Sequence, residues 1–179
     1  MTMTLRNSLL LCTLLLATPL FAQPPKTENP WATLAFLMGE WTGEGSGQPG
    51  QGSGGFSFLP DLEKNVLVRK NRADYPATKD RAAFSHTDLM IVYREPGAIK
   101  LRAIYFDSEG HVIHYTVDPS ADGDAVQFLS DASNTNPRYR LTYTKTGADA
   151  VGIQFEIAVP GKPDSFSTYI QATARRKSR

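Results

Sequence analysis

The sequence predicts an all-β protein: a single up-and-down antiparallel β-barrel of about ten strands, preceded by a short helical turn. Three observations predict this fold. Short segments with alternating apolar and polar residues follow one another from residue 40 to residue 174, turn residues separate them, and no helical period interrupts them. Successive short strands with turn signals are typical of antiparallel sandwiches and barrels. The number of segments favours a barrel that closes on itself.

Residues 1–22 are predicted to be a secretory signal peptide, and residues 23–179 to be the barrel domain. Arg6 precedes an apolar run, Leu9 to Ala17, that is too short for a good membrane span. Cys12 is the only cysteine and lies within this run, so the mature chain is expected to depend on a hydrophobic core rather than on disulfides. We therefore expect a periplasmic or secreted protein.

The charge of the chain limits its partners. The formal net charge is +1, and removal of Arg6 with the signal peptide brings it to about zero. Nucleic acids and anionic membranes bind basic surfaces. We therefore expect neither a nucleic-acid partner nor stable membrane insertion.

A helical turn is predicted directly before the first strand. Asn29 followed by Pro30 is typical of a helix start. Three apolar residues then fall on one face: Trp31, Leu34 and Leu37. Gly39 ends the turn, and from this point the period changes to two, so that Trp41 and Gly43 point to the same side.

Nine further strands complete the prediction. Their ranges are 54–59, 65–73, 85–93, 99–106, 111–117, 125–130, 138–144, 151–159 and 165–174. Several alternate cleanly; Tyr139, Leu141 and Tyr143 share one face, for example. One wall face is therefore expected to be buried and the other to be in water.

The segment from Leu37 to Gly47 has the pattern L-x-G-x-W-x-G-x-G-x-G. It resembles the entry of lipocalin-like (calycin) barrels, and among these the nitrobindin-like proteins and uncharacterised bacterial secreted lipocalin-like proteins of a domain of unknown function. The resemblance implies that Trp41 plugs the closed end and that an arginine at the end of the last strand stacks on it. Arg175 and Arg176 lie at that position, and we assign barrel closure to Gly39, Trp41 and Arg175.

The same resemblance raises the question of haem. Nitrobindin-like proteins hold haem through a histidine on the last strand, in a segment similar to residues 168–173. This chain has Tyr169 and Gln171 there, and no histidine. Because tyrosine can also ligate haem iron, a haem-dependent isomerase that uses Tyr169 or a displaced histidine stays an alternative. Our first expectation is a protein without a cofactor.

We expect the barrel to bind a small, largely apolar molecule in its lumen without catalysis. The inward aromatic and aliphatic face would bury the ligand, and a few inward polar groups would orient it. The candidate ligand-binding residues are Trp41, His111, Tyr143, Phe155 and Tyr169. A second alternative is a structural or interaction module whose core is filled.

The histidines do not form a metal-binding pattern. His111 shares a face with Ile113 and is predicted to point inward, whereas His114 is predicted to point outward. Residues an odd number apart cannot share a metal on a regular strand, and no metal site is predicted. If Tyr105 also faces inward, a bulge at Gly110 would reconcile the two strands that meet at this turn.

Overall fold

The computed structural model describes residues 29, 31–44 and 52–178. Its elements, in chain order, are a 3₁₀ helix (Ala32–Leu37), β1 (Gly39–Glu44), β2 (Ser53–Asp61), a second 3₁₀ turn (Leu62–Lys64), β3 (Val66–Tyr75), β4 (Phe84–Arg94), β5 (Leu101–Asp107), β6 (Val112–Pro119), β7 (Ala125–Ser130), β8 (Arg138–Gly147), β9 (Ala150–Ala158) and β10 (Ser167–Arg176). The predicted signal peptide lies outside the described residues.

The ten strands form a closed, antiparallel, up-and-down barrel. Each strand pairs with its neighbours in sequence, and β1 closes the barrel by pairing with both β2 and β10. In this closing register Trp41 lies opposite Phe56 on one side and Arg176 on the other. The predicted fold class and the predicted number of strands are confirmed.

The helical turn is a 3₁₀ helix. Its three buried apolar residues are three positions apart, which is the period of a 3₁₀ helix rather than an α-helix. They are Trp31, Leu34 and Leu37, none more than 1% exposed. Asn29 supports the entry to the helix, since its side-chain oxygen accepts a hydrogen bond from the Trp31 N–H at 3.1 Å.

This 3₁₀ helix covers one end of the barrel, which we call the closed end. The indole N–H of Trp31 donates to the Lys64 carbonyl at 3.0 Å, which ties the helix to the turn between β2 and β3. The indole N–H of Trp41 donates to the Leu37 carbonyl at 2.8 Å. Both large rings are therefore buried without leaving a polar group unpaired.

The half of the lumen beside the closed end is filled with aromatic rings. Tyr143 is central: its ring centroid lies 5.5 Å from that of Phe56, 5.6 Å from that of Phe58 and 6.1 Å from that of Phe128. The contacts to Phe58 and Phe128 are nearly perpendicular, an arrangement that aromatic pairs favour. This half of the barrel is a packed core.

The turn between β5 and β6 departs from the sequence prediction. Strand β5 begins at Leu101, and Ile99, predicted to belong to it, is 92% exposed. Tyr105 pairs with Ile113, so both face inward as predicted, and the ladder needs no bulge. The inward faces of β5 and β6 agree because an odd number of residues, five, separates the paired Phe106 and Val112. Gly110 lies among these five, with a φ of +91°.

Candidate functional site

The closed end is sealed by Arg176. Its Cζ lies 4.3 Å from the centroid of the Trp41 ring, and its guanidinium donates hydrogen bonds to the carbonyls of Met38 and, at 2.9 Å, of Phe36. The assignment of this role to Arg175 is wrong. Arg175 forms an ion pair with Glu44, because neighbouring residues of a strand point to opposite faces.

Gly39 is required by the same closure. Its φ of +116° is a backbone conformation that side-chain-bearing residues rarely adopt. A Cβ at this position would lie 3.0 Å from Nη1 of Arg176. Trp41 is 1% exposed and belongs to this seal. Its place in the structure is that of a plug, at the opposite end from the partly exposed residues described next.

The other end of the barrel, which we call the open end, contains a cup. We define the cup by eight of the partly exposed, inward-facing residues of the open half. They are Asn71, His86, Tyr105, Ile113, Tyr139, Ile153, Phe155 and Ile170. Their polar members lie on β3, β4 and β5, and most of their apolar members lie on β8, β9 and β10. The cup is therefore amphipathic, with a polar wall facing an aromatic and aliphatic wall.

The polar wall is organised around a buried ion pair. Arg69 on β3 pairs with Asp88 on β4, and the side chains of these two residues are 8% and 4% exposed. Asn71 donates a further hydrogen bond to Asp88 at 2.9 Å. Burial opposes ionisation of Asp88, but the Arg69 guanidinium and His86 hold the pKa of this carboxyl below its usual value.

His86 extends this network towards the mouth of the cup. Its Nε2 lies 3.4 Å from a carboxylate oxygen of Asp88, and its Nδ1 lies 3.0 Å from a carboxylate oxygen of Glu109. Hydrogen bonding to Asp88 raises the pKa of His86 to about 9, although partial burial opposes the shift. The hydroxyl of Tyr105 lies 3.3 Å from the same Nε2 atom, and burial raises the pKa of that tyrosine.

Two buried polar groups form the floor of the cup. Among the described residues, the Nε–H of Arg69 and the hydroxyl of Tyr143 have no hydrogen-bond partner. Arg69 and Tyr143 lie close to each other, although they come from β3 and β8, which are opposite walls of the ten-stranded barrel. Burial raises the pKa of Tyr143, so its hydroxyl stays protonated at neutral pH. The two groups are close enough to interact with each other, and a water molecule or a ligand could satisfy what remains of their hydrogen-bonding capacity.

The apolar wall is built from stacked rings. Tyr139 and Phe155 are parallel, with centroids 5.9 Å apart, and the edge of Tyr169 meets Phe155 at 6.3 Å. The register of β10 shifts between Thr168 and Ile170, which places Tyr169 at the bulge, 53% exposed. Of the predicted ligand-binding residues, Phe155 lines the cup, Tyr169 lies at its mouth and Tyr143 contributes to its floor.

His111 lies at the rim of the open end rather than within the lumen. Its side chain is 54% exposed, and its Nδ1 lies 2.8 Å from a carboxylate oxygen of Asp107. It borders a cleft of about 460 Å³ between the β5–β6 and β7–β8 turns, which Ile113 and Tyr139 also line. The structure therefore brings Phe155 and Tyr169 together, and separates both from Trp41.

The residues present do not fit a haem held deep in the lumen. The last strand offers no histidine, and Tyr169 lies at the mouth. Below it, the lumen is occupied by the Arg69–Asp88 pair and then by the packed rings of Phe56 and Tyr143. Among the described residues, these side chains take up the part of the lumen that a deeply held haem would need, and we derive no chemistry through one.

The sequence analysis missed the polar wall. The signal was present in the strand pattern. Asp88 shares a face with the buried Met90 and Val92, and Arg69 shares a face with the buried Leu67, so each charged residue belongs to an inward apolar face. A charged residue on such a face is a candidate site because burial of an unpaired charge is costly. What the strand pattern could not show was that Arg69 and Asp88 are close enough to pair.

The fold defines the class of this protein: a closed ten-stranded antiparallel β-barrel, consistent with a lipocalin-like (calycin) fold. No protein-family model matches the chain, and no curated protein matches it either. Within the described residues, no helix is both long and apolar enough to cross a membrane.

Proposed function

We propose that this protein is an exported binding protein of the lipocalin-like type, related to the secreted bacterial barrels of that kind, and that its cup takes a small, largely apolar molecule without transforming it. The observation that carries the proposal is the amphipathic cup above a packed core. One wall offers the faces of Tyr139 and Phe155, and the floor offers two buried donors, Arg69 and Tyr143.

The apolar wall would supply most of the binding free energy. Burial of apolar area contributes roughly 25 cal/mol per Å² before the costs of association. A flat or chain-like apolar body in contact with Phe155 and Tyr169 would displace water from rings that are now partly exposed. Contact with parallel, pre-stacked rings costs little side-chain entropy, since Tyr139 and Phe155 already hold each other in place.

The floor would select the polar end of the ligand. The positive charge of Arg69 is already balanced by Asp88, so a second carboxylate at this depth would lie close to the first. A neutral acceptor, such as a carbonyl or hydroxyl oxygen, would satisfy the Arg69 Nε–H and the Tyr143 hydroxyl without adding charge. The ligand class is therefore an apolar molecule with one neutral acceptor at its end.

The first experiment is a native mass spectrum of the mature protein from an exporting host, followed by titration with Nile red, a neutral apolar dye with a carbonyl group. We expect a bound mass or a saturable fluorescence increase. Phe155→Ala should weaken binding about tenfold through lost apolar contact. Phe106→Ala is the matched control, because Phe106 lies on the outer face of β5 and is 37% exposed.

Tyr143→Phe separates recognition from stability. It removes a buried hydroxyl that has no partner within the described chain, so the thermal midpoint should stay the same or rise. Dye binding should weaken by about threefold to tenfold if the hydroxyl meets the carbonyl. A bare mass with no dye binding would overturn the proposal in favour of a filled-core interaction module. A haem mass with a Soret band that Tyr169→Phe removes would favour the isomerase instead.

A further inference from the structure

Four potential metal ligands meet beside the cup, at the rim of the open end. We call them the rim cluster: His86 from β4, Asp107 at the end of β5, and Glu109 and His111 from the β5–β6 turn. The ligand atoms of His86, Asp107 and Glu109 all lie within 4.8 Å of one another. His111 joins them through its Nδ1, 2.8 Å from Asp107. One imidazole and two carboxylates therefore converge on one point, and a second imidazole, that of His111, adjoins them beside Asp107.

His86 is oriented as a metal ligand requires. Histidines that bind metals usually donate their other ring N–H to a carboxylate, which fixes the ring and its tautomer. Here Nε2 of His86 faces Asp88, whose carboxylate is held in turn by Arg69 and Asn71. Nδ1 is the remaining ligand atom of the ring, and it lies 3.0 Å from a carboxylate oxygen of Glu109.

Asp107 is fixed just as firmly. One of its carboxylate oxygens accepts the backbone N–H groups of Glu109 and His111, each at 2.9 Å. The other oxygen faces the side chain of His111 and accepts a hydrogen bond from the Tyr105 hydroxyl at 3.4 Å. The turn that makes these bonds depends on Gly110, whose positive φ needs a glycine. The cluster is therefore set by the backbone, and not only by flexible side chains.

The local charge favours a divalent cation. Arg69 balances Asp88, but within the described residues neither Asp107 nor Glu109 has a lysine or arginine at ion-pair distance; each pairs only with a histidine. A dication held by two carboxylates and two neutral imidazoles would displace the proton of His86 and leave the site uncharged. Glu109 and His111 have side chains more than half exposed, so an ion could enter directly from solvent.

We propose that the rim cluster binds one first-row divalent transition-metal ion of the zinc type. Imidazole ligands suit zinc, nickel, copper and iron, whereas calcium and magnesium prefer oxygen ligands alone. Bonds of about 2.0–2.2 Å in a tetrahedron need ligand atoms about 3.3–3.6 Å apart, which rotation of the exposed Glu109 side chain can provide. The ion would join β4 to the β5–β6 turn at the mouth of the cup.

The test uses the untagged mature chain, freed of metal and titrated with Zn²⁺ alone by calorimetry, with Co²⁺ as a spectroscopic probe. We expect one equivalent of Zn²⁺, a rise in the thermal midpoint on binding, and the visible absorption of four-coordinate Co²⁺. Glu109→Gln and His111→Gln should each weaken Zn²⁺ binding about tenfold or more. Mg²⁺ should not compete at equal concentration.

His114→Gln is the matched control for His111→Gln, because His114 is an exposed histidine nearby on β6 that lies outside the rim cluster. It should leave the stoichiometry and affinity unchanged. No stoichiometric binding, binding that survives the double substitution Glu109→Gln/His111→Gln, or binding that His114→Gln removes would each overturn the proposal. Phe155→Ala should not change Zn²⁺ binding, so the outcome is independent of the cup ligand.

Discussion

The two ends of this barrel use the same ten strands but different kinds of side chain. At the closed end the inward residues are mostly large and apolar, and both indole N–H groups are paired; Trp31 and Trp41 donate to backbone carbonyls. At the open end the inward residues include Asn71, His86 and Asp88, and many are partly exposed. The difference shows that the closed-end half of the strands contributes mainly to the stability of the fold, whereas the open-end half offers a potential binding surface.

The energetics of the two ends should differ in the same way. Truncation of a buried side chain that fills the closed end can lower the free energy of unfolding by several kcal/mol, since it leaves a cavity. Truncation of a half-exposed ring at the mouth should change the free energy of unfolding little, because water already reaches that ring in the folded state. Substitutions at the closed end should therefore change the free energy of unfolding, and substitutions at the open end should change binding.

The largest effect is expected for Trp41→Ala. It removes a ring that is 1% exposed and stacked on Phe56, and it leaves Arg176 without its aromatic partner. We expect a loss of about 3–5 kcal/mol in the free energy of unfolding, measured by denaturant and thermal unfolding. Tyr169→Ala, at the mouth, should cost less than about 1 kcal/mol. An unchanged midpoint for Trp41→Ala would show that Trp41 is not the plug.

An intermediate effect is expected for Arg176→Ala. It removes the cation–π contact and leaves the Phe36 and Met38 carbonyls without their donors, a combined cost of about 2–4 kcal/mol. Arg175→Ala is the matched control: it breaks an exposed ion pair with Glu44 and should cost less than about 1 kcal/mol. Equal losses in the two variants would contradict the assignment of closure to Arg176.

The smallest effect concerns the outer wall near the open end, where Glu156 accepts two hydrogen bonds from Arg140. These bonds hold the pKa of Glu156 below its usual value, although burial opposes the shift. The stabilisation is therefore present above the unfolded-state pKa and is lost as pH falls through the lower folded-state pKa. Glu156→Gln should cost up to about 1 kcal/mol at pH 7.

Urea unfolding of Glu156→Gln and the parent protein at pH 7 and at pH 3 checks this prediction. The difference between the two proteins should shrink at the lower pH. A double-mutant cycle with Arg140→Gln isolates the pair from other carboxylates that titrate in the same range. A difference that stays constant with pH would mean that the pair does not stabilise the fold.

The closed end was largely predictable from local sequence. Trp41 and Gly39 lie in one short pattern, and the strand that follows alternates with a period of two. The register between β1 and β10 was not predictable. That register places Arg176 opposite Trp41 and sends Arg175 outward, and it is set only when the barrel closes.

The open end was much less predictable. Phe155 was found because it shares one face of its strand with Ile153 and Ile157, while polar residues occupy the other face. The Arg69–Asp88 pair was not found, because it joins β3 to β4, and the rim cluster joins β4 to the β5–β6 turn. Tyr169 was predicted to point into the lumen from a regular last strand. A register shift in β10 places it at the mouth instead.

The sequence by itself determined the fold class, the ten strands, and which residues of each strand share a face, because alternation is a property of each strand alone. The tertiary structure decided which faces meet: Arg176 on Trp41, Arg69 beside Tyr143, and His86 beside Glu109. The physical reason is that lateral register and barrel closure depend on all ten strands together, so no single segment contains them.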